Sequence, residues 1–247
     1  MTIAEVFSAI ERHEKAALLI SGGKDSLACL LLLEPLWDML TVYWCNPGAA
    51  FPETIEMMDR ISRIVPNFKE ITGDQPRVIE SYGWPSDVVP VRYTQAANVI
   101  LGATPFKIQG RIECCFNSMM LPAHKAMIDD GITLVIRGKR HDDADKTGVM
   151  NGNTDAGYEV LFPIYDWTGE QVHAYLDERG VEKPAFYRHG DDSLDCKNCT
   201  AWWGHGLGRY LQAEHPEMLG EHEDRMRQIN AAITNEMTNC EVLHGRI

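Results

Sequence analysis

Residues 16–26 read Ala16-Ala17-Leu18-Leu19-Ile20-Ser21-Gly22-Gly23-Lys24-Asp25-Ser26, and this stretch decides the fold. The short apolar run Ala16–Ile20 reads as a buried strand, and Leu27–Leu33 that follows reads as a buried helix. Gly22 and Gly23 let the backbone turn sharply between them and come close to a ligand. The N–H groups at the start of the following helix have no intrahelical acceptor, so they attract an anion. Lys24 adds a positive charge, and Ser21 and Ser26 add hydroxyl donors. The stretch suits phosphate or sulfate held at the carboxyl end of a parallel strand. It is not a Walker loop, because Gly-x4-Gly-Lys-Ser/Thr is absent. The bland alternative is a capped glycine turn without a ligand. Five anion-friendly features within six residues weigh against that.

Working outward, Ile3, Val6, Phe7 and Ile10 predict an amphipathic helix over 3–15. Thr41–Cys45 is β-branched and aromatic and predicts a second strand, broken by Asn46-Pro47-Gly48. A helix follows through Ile64, then a weaker strand over 66–71. Residues 73–110 are rich in Gly and Pro and read as loops and short helices. A helix is predicted over Ser118–Asp130, closed by Gly131. Ile132–Ile136 is the clearest strand, and it delivers Arg137-Gly138-Lys139-Arg140 at its end. Thr168 is a candidate cap for a helix over 169–178. From Pro184 the chain is loop-rich, then helical over about 203–237. Strands alternating with helices predict an α/β fold with a parallel sheet. The expected division is an α/β domain over 1–210 and a C-terminal helix and tail over 211–247.

The chain has 247 residues, 36 acidic against 23 basic, for a formal net charge of -13. Non-specific binding to a phosphate backbone needs clustered Lys and Arg, so this composition argues against it. No run of apolar residues is long enough to span a membrane. Met1-Thr2-Ile3-Ala4-Glu5 lacks the basic-then-apolar pattern of a signal peptide, so a cytoplasmic location is expected. In a reducing compartment the seven cysteines are better read as ligands or catalysts than as disulfides.

Cys114 and Cys115 are adjacent, and Cys196 and Cys199 form a Cys-x2-Cys pair. Four soft donors suit an iron–sulfur cluster or a zinc ion. Cys29 and Cys45, on an apolar helix and strand, fit buried small hydrophobes. Cys240, near the C-terminus, reads either as a mobile nucleophile or as an incidental surface thiol. Lys139, Arg140 and His141 follow a strand, where cations can neutralise a bound anion. Asp142-Asp143-x-Asp145 reads as a solvated acidic turn. Trp202 and Trp203 read as packing round the cysteine loop, and His205, His215 and His222 as structural or surface residues.

Ser21–Ser26 resembles the PP-loop of the adenine nucleotide α-hydrolase-like superfamily, nearest to the phosphoadenosine phosphosulfate (PAPS) and adenosine phosphosulfate (APS) reductase family. Phe51-Pro52-Glu53-Thr54, Arg137-Gly138-Lys139-Arg140-His141-Asp142 and Pro163-Ile164-Tyr165-Asp166-Trp167-Thr168 resemble family elements in family order. So does Cys196-Lys197-Asn198-Cys199-Thr200 with Gly208-Arg209-Tyr210. The resemblance implies a Rossmann-like fold with a helical and loop C-terminal extension. It implies nucleotide contacts from Ser21, Gly22, Gly23, Lys24, Asp25, Ser26, Glu53, Arg137, Lys139 and Arg140. It also implies a [4Fe–4S] cluster on Cys114, Cys115, Cys196 and Cys199. Cys240 would attack the sulfur of APS or PAPS to form an S-sulfonate, and a thioredoxin-like thiol would release sulfite. Homo-oligomers are compatible with this reading.

Two departures from the family pattern stand out. The tail reads Asn239-Cys240-Glu241-Val242-Leu243-His244, without the glycine of the family's Glu-Cys-Gly-Leu/Ile-His. The family's Arg-Lys after the cysteine pair is replaced by Phe116-Asn117, with Arg111 and Lys107 as candidate substitutes. These departures keep two alternatives open. One is an ATP-dependent PP-loop sulfurtransferase acting on a nucleic acid. The other is a non-catalytic nucleotide-binding subunit.

Overall fold

In a computed structural model, the chain is described at residues 1–102, 106–142, 150–154, 156–190, 193–243 and 245. Five short strands form one parallel sheet. In chain order the first elements are α1 (Ile3–Ile10), β1 (Ala16–Ile20), α2 (Lys24–Leu32), β2 (Leu40–Asn46), α3 (Pro52–Ile64) and β3 (Phe68–Thr72). Next come α4 (Gln75–Tyr82), β4 (Trp84–Ser86), α5 (Gln95–Leu101), β5 (Ile108–Gly110), α6 (Arg111–Cys115) and α7 (Leu121–Asp129). The last are β6 (Leu134–Arg137), β7 (Glu159–Leu161), α8 (Gly169–Glu178), α9 (Leu207–Glu214) and α10 (Pro216–Leu243). The main sheet has the order β3-β2-β1-β6-β7, and β4 and β5 pair separately.

Side chains on alternate strand residues face opposite sides of the sheet. Leu18 and Ile20 of β1, with Leu134 and Ile136 of β6, meet α1, α2, α3 and α8 on one face. Ala17, Tyr43 and Val135 meet Ala123 and Met127 of α7 on the other. Leu18, Leu134 and Ile136 are fully buried, and each such side chain contributes about 1.5–3 kcal/mol through burial. With both faces covered, the strands read as continuous apolar runs, which is why they were legible.

The C-terminal part packs onto this layer and onto the small sheet. Phe51 at the start of α3 packs edge-on against Tyr210 of α9, with ring centroids 5.2 Å apart. Ile229 and Ala232 of α10 bury against Ile108 of the small sheet. No described helix is long and apolar enough to cross a membrane.

Several predicted boundaries move. The first helix ends at Ile10 rather than residue 15, and His13 reaches across to Thr133 and Glu159 at 3.2 and 3.1 Å. The helix predicted from Ser118 begins at Arg111, with Gly110 as its N-cap, and passes through a π-helical turn at Phe116–Met120 into α7. Cys114 and Cys115 therefore sit on a helix rather than before one. The helix predicted over 203–237 is broken at His215, where Pro216 starts α10, and α10 continues to Leu243. Thr168 caps α8 as expected, accepting from Gln171 N in a full capping box. The three-residue strand β7 was not foreseen.

Candidate active site

The chain leaves β1 for β2 and β3 on one side, then returns through β6 and β7 on the other. β1 and β6 are thus neighbours on which the winding direction reverses. They pair in parallel, with Leu19 opposite Arg137. Ligands of open α/β sheets bind outside the carboxyl ends of such a strand pair. A cleft of about 350 Å³ opens there, within the size range of small-molecule sites.

One wall is the loop after β1. Gly22 sits at φ +86°, a left-handed conformation open to glycine. The Ser26 hydroxyl accepts from Ser21 N and Gly22 N, each at 3.2 Å, and donates to Gly23 O at 2.9 Å. One side chain therefore fixes the turn from inside. Lys24 N, in the first turn of α2, donates to the Tyr187 hydroxyl at 2.8 Å. Gly138, after β6, is pressed against the same loop: a Cβ there would lie 2.4 Å from Asp25 O.

The opposite wall carries the thiols. Cys114, Cys115, Cys196 and Cys199 all line the cleft. Burial pushes the Cys114 and Cys199 thiols up to about 12, with the neighbouring cysteines adding to the rise. Cys196 is also raised well above the usual thiol value, by burial first and then by Asp195, and Cys115 is raised by burial above all. Without a compensating positive charge the four stay protonated; a bound metal centre would stabilise them as thiolates. Four soft donors facing one cleft fit an iron–sulfur centre chemically. Among the described residues, no three His, Cys, Asp or Glu side chains converge as ligands of one metal ion.

Charge decides what the cleft attracts. The chain is strongly acidic overall, yet the described lining contains Lys24, Arg111, Arg137 and Lys139 against two carboxylates, Asp25 and Asp195. Arg137 is half-buried, and its guanidinium forms no hydrogen bond or ion pair among the described residues. Burial lowers its pKa from the usual arginine value, with Tyr158 acting in the opposite sense. A guanidinium held this way is costly unless an anion joins it.

A model of the phosphoadenosine phosphosulfate reductase domain family matches residues 15–202. The chain belongs to this family. An adenosine 5'-phosphosulfate reductase of Neisseria meningitidis serogroup B is 25% identical over 185 residues, covering 67% of this chain and 68% of that protein. A phosphoadenosine 5'-phosphosulfate reductase of Gloeobacter violaceus is 23% identical over 192 residues, covering 76% and 73%. Among solved structures, the phosphate complex of a phosphoadenylyl-sulfate reductase from Candida auris has the same fold. Its TM-score is 0.51 at 17% identity, covering 76% of this chain and 84% of that one.

In this reductase family member, the cleft gathers Ser21, Gly23, Lys24, Asp25, Ser26, Arg137, Lys139 and all four paired cysteines. Gly22 lies in the same loop. Arg140 is placed differently: it is buried, and its Nε donates to Asp25 at 2.6 Å and its Nη1 to Asp142 at 2.5 Å. It orients a carboxylate of the loop instead of facing the cleft. Glu53 also lies off the lining, 3.2 Å from His215 Nε2. The first turn of α3 points it at the C-terminal region, and the next residue, Thr54, takes the place on the cleft.

Lys107 reaches the carbonyls of Glu80 and Ser81 and is no substitute in the cleft, whereas Arg111 lines it. Cys240 is exposed on the last turns of α10 and is not part of the lining. Asp143, Asp145 and His244 lie outside the described residues. Trp202 and His205 stack on each other at 4.9 Å beside the cysteine loop. Sequence reasoning missed Tyr187 and Asp87. Each acts through partners more than twenty residues away, so no local pattern marks it.

Proposed function

We propose that this protein is a sulfonucleotide reductase that converts APS or PAPS to sulfite. The observation carrying this reading is the juxtaposition, at one strand switch point, of an anion cradle with four cationic side chains and two cysteine pairs. The first-turn N–H groups of α2 beyond the Lys24 N–H taken by Tyr187, together with the Lys24 ammonium, bind the nucleotide's phosphate. Arg137 and Lys139 neutralise the sulfonate end, and Arg111 supplies charge on the cysteine side. Arg140 keeps Asp25 in place beneath the loop.

The Cys240 thiolate attacks the sulfonate sulfur. The S–O bond to the phosphate breaks, and AMP, or its 3'-phosphorylated counterpart, leaves with the bonding electron pair. The resulting S-sulfonate is resolved by a thioredoxin-like dithiol. One thiolate attacks the Cys240 sulfur and expels sulfite, and the second closes the reductant's disulfide while Cys240 regains its thiol. Because Cys240 stands on an exposed helix end outside the cleft, this step needs the last turns of α10, beyond the buried Ile229 and Ala232, to swing toward the cleft. Cys114, Cys115, Cys196 and Cys199 would hold a [4Fe–4S] cluster. When bound, the cluster supplies a compact charged body that tunes the electrostatics around the sulfonate. Without it, protonated thiols occupy that wall.

The exposed position of Cys240 favours a second reading, in which the PP-loop activates another substrate with ATP and a different thiol delivers sulfur. Purified protein, kept anaerobic, is incubated with APS, PAPS or ATP plus thioredoxin, and sulfite, AMP and pyrophosphate are measured. Iron and acid-labile sulfide are assayed on the same sample. Sulfite from APS or PAPS supports the reductase. Pyrophosphate from ATP without sulfite from either sulfonucleotide rejects it for the second reading.

A further inference from the structure

We infer that Asp87 is the positioning residue that joins the two cysteine-bearing segments and sets the distance between them. For the metal-loaded protein the inference rests on the proposed cluster; for the metal-free chain it stands alone. Cys114 and Cys115 sit on α6, while Cys196 and Cys199 lie in a loop some eighty residues later. No disulfide ties the two pairs together, since all seven cysteines are free.

Asp87 follows β4 and is largely buried. Its Oδ1 accepts from Arg111 Nη1 at 3.3 Å, at the start of α6. The same oxygen accepts from Trp202 N at 2.9 Å, and Oδ2 accepts from Trp203 N at 3.0 Å. One carboxylate therefore holds the cysteine helix through a side chain and the cysteine loop through its backbone.

Two further contacts and one backbone conformation make the junction specific. The Arg111 guanidinium lies 4.1 Å from the Trp202 ring centroid, a cation–π contact across the same seam. Trp202 is the one described non-glycine residue at positive φ, 57°. Such a backbone persists where its surroundings over-determine it, and two successive N–H groups on one carboxylate do that. From β4 itself, Pro85 O accepts from the buried Thr200 hydroxyl at 2.6 Å. The end of β4 thus grips the loop at Thr200, Trp202 and Trp203, immediately after Cys199. The residues that orient a metal's ligands govern its affinity almost as strongly as the ligands do.

Asp87→Asn tests this, because it keeps the size but removes the charge and one acceptor oxygen. Two readouts are taken. Metal-free protein is treated with a short bismaleimide, and crosslinks between α6 and the 196–199 loop are counted by peptide mass spectrometry. Separately, iron and acid-labile sulfide per chain are measured after anaerobic reconstitution.

The expected result is a loss of at least about fivefold in cross-segment links, and about tenfold weaker iron retention against a chelator. The far-UV circular dichroism should stay that of wild type. If Asp87→Asn does not fold, Arg111→Met replaces it. That variant unties α6 while leaving Trp202 and Trp203 on Asp87, and the same loss of links is expected. Wild-type link and iron yields in the variants overturn the inference. A wild-type protein that takes up no iron rejects the cluster reading alone, and the crosslink arm still decides the role of Asp87.

Discussion

Arg137→Met is the substitution whose two effects run in opposite directions, which makes it the sharpest test of the anion site. Arg137 ends β6 opposite Leu19 of β1 and lines the cleft, and its guanidinium has no hydrogen bond or ion pair among the described residues. Its burial disfavours the charged form. Methionine keeps the aliphatic bulk and removes that uncompensated charge, so the ligand-free variant should melt no lower than wild type. A hydrogen bond to a charged group contributes about 1.5–3 kcal/mol, so losing it should weaken anion binding about 10- to 150-fold. Calorimetric titration with inorganic sulfate and with APS and PAPS, in a Cys240→Ser background so that nothing turns over, alongside a thermal melt, reads both effects. Arg137→Lys should recover part of the affinity, because a point charge replaces the planar fork. A variant that binds as wild type but melts several degrees lower would show Arg137 to be a structural residue and refute the reasoning.

Gly138→Ala should both destabilise the protein by about 1–3 kcal/mol and weaken AMP binding. Its Cβ would meet the Asp25 carbonyl at 2.4 Å, and denaturant titration with calorimetry reads both. Asp130 is held below the usual carboxylate range first by Lys69 and then by Tyr43. Its contribution is therefore present above the unfolded-state pKa of about 3.9 and lost as pH falls through the lower folded value. Asp130→Asn should melt slightly lower than wild type at pH 7, by less than about 1 kcal/mol because the pair is partly exposed, with the gap closing below about pH 4. Thr168→Ala removes the α8 cap and should cost about 1 kcal/mol in denaturant titration while leaving AMP affinity unchanged.

Sequence reasoning reaches this site where chemistry is carried by neighbours in the chain. Ala16–Ser26 announces strand, turn and helix within eleven residues, because burial on both faces leaves an uninterrupted apolar run and the turn needs glycine. Arg137 was reachable for the same reason, since the apolar run before it ends in the charge. Arg140 and Glu53 show where this reasoning stops. Both belong to recognisable elements, but Arg140 meets Asp25 across 115 residues and Glu53 meets His215 across 162. Those partners decide which way each side chain turns. Asp87 has no local signature at all, because its meaning lies in groups brought together from α6 and from the residues after Cys199. The π-helical turn after Cys115 and the three-residue β7 are set by packing rather than by periodicity.

The central claim is that the sulfonate of a nucleotide passes to a thiol of this chain. Protein incubated anaerobically with APS or PAPS, without any reductant, is followed by intact-mass and peptide mass spectrometry. The account predicts one SO3 unit added per chain, located on Cys240, with one equivalent of AMP or its 3'-phosphate released and neither product formed by Cys240→Ser. Nucleotide release without an adduct, or an adduct that survives in Cys240→Ser, would contradict it.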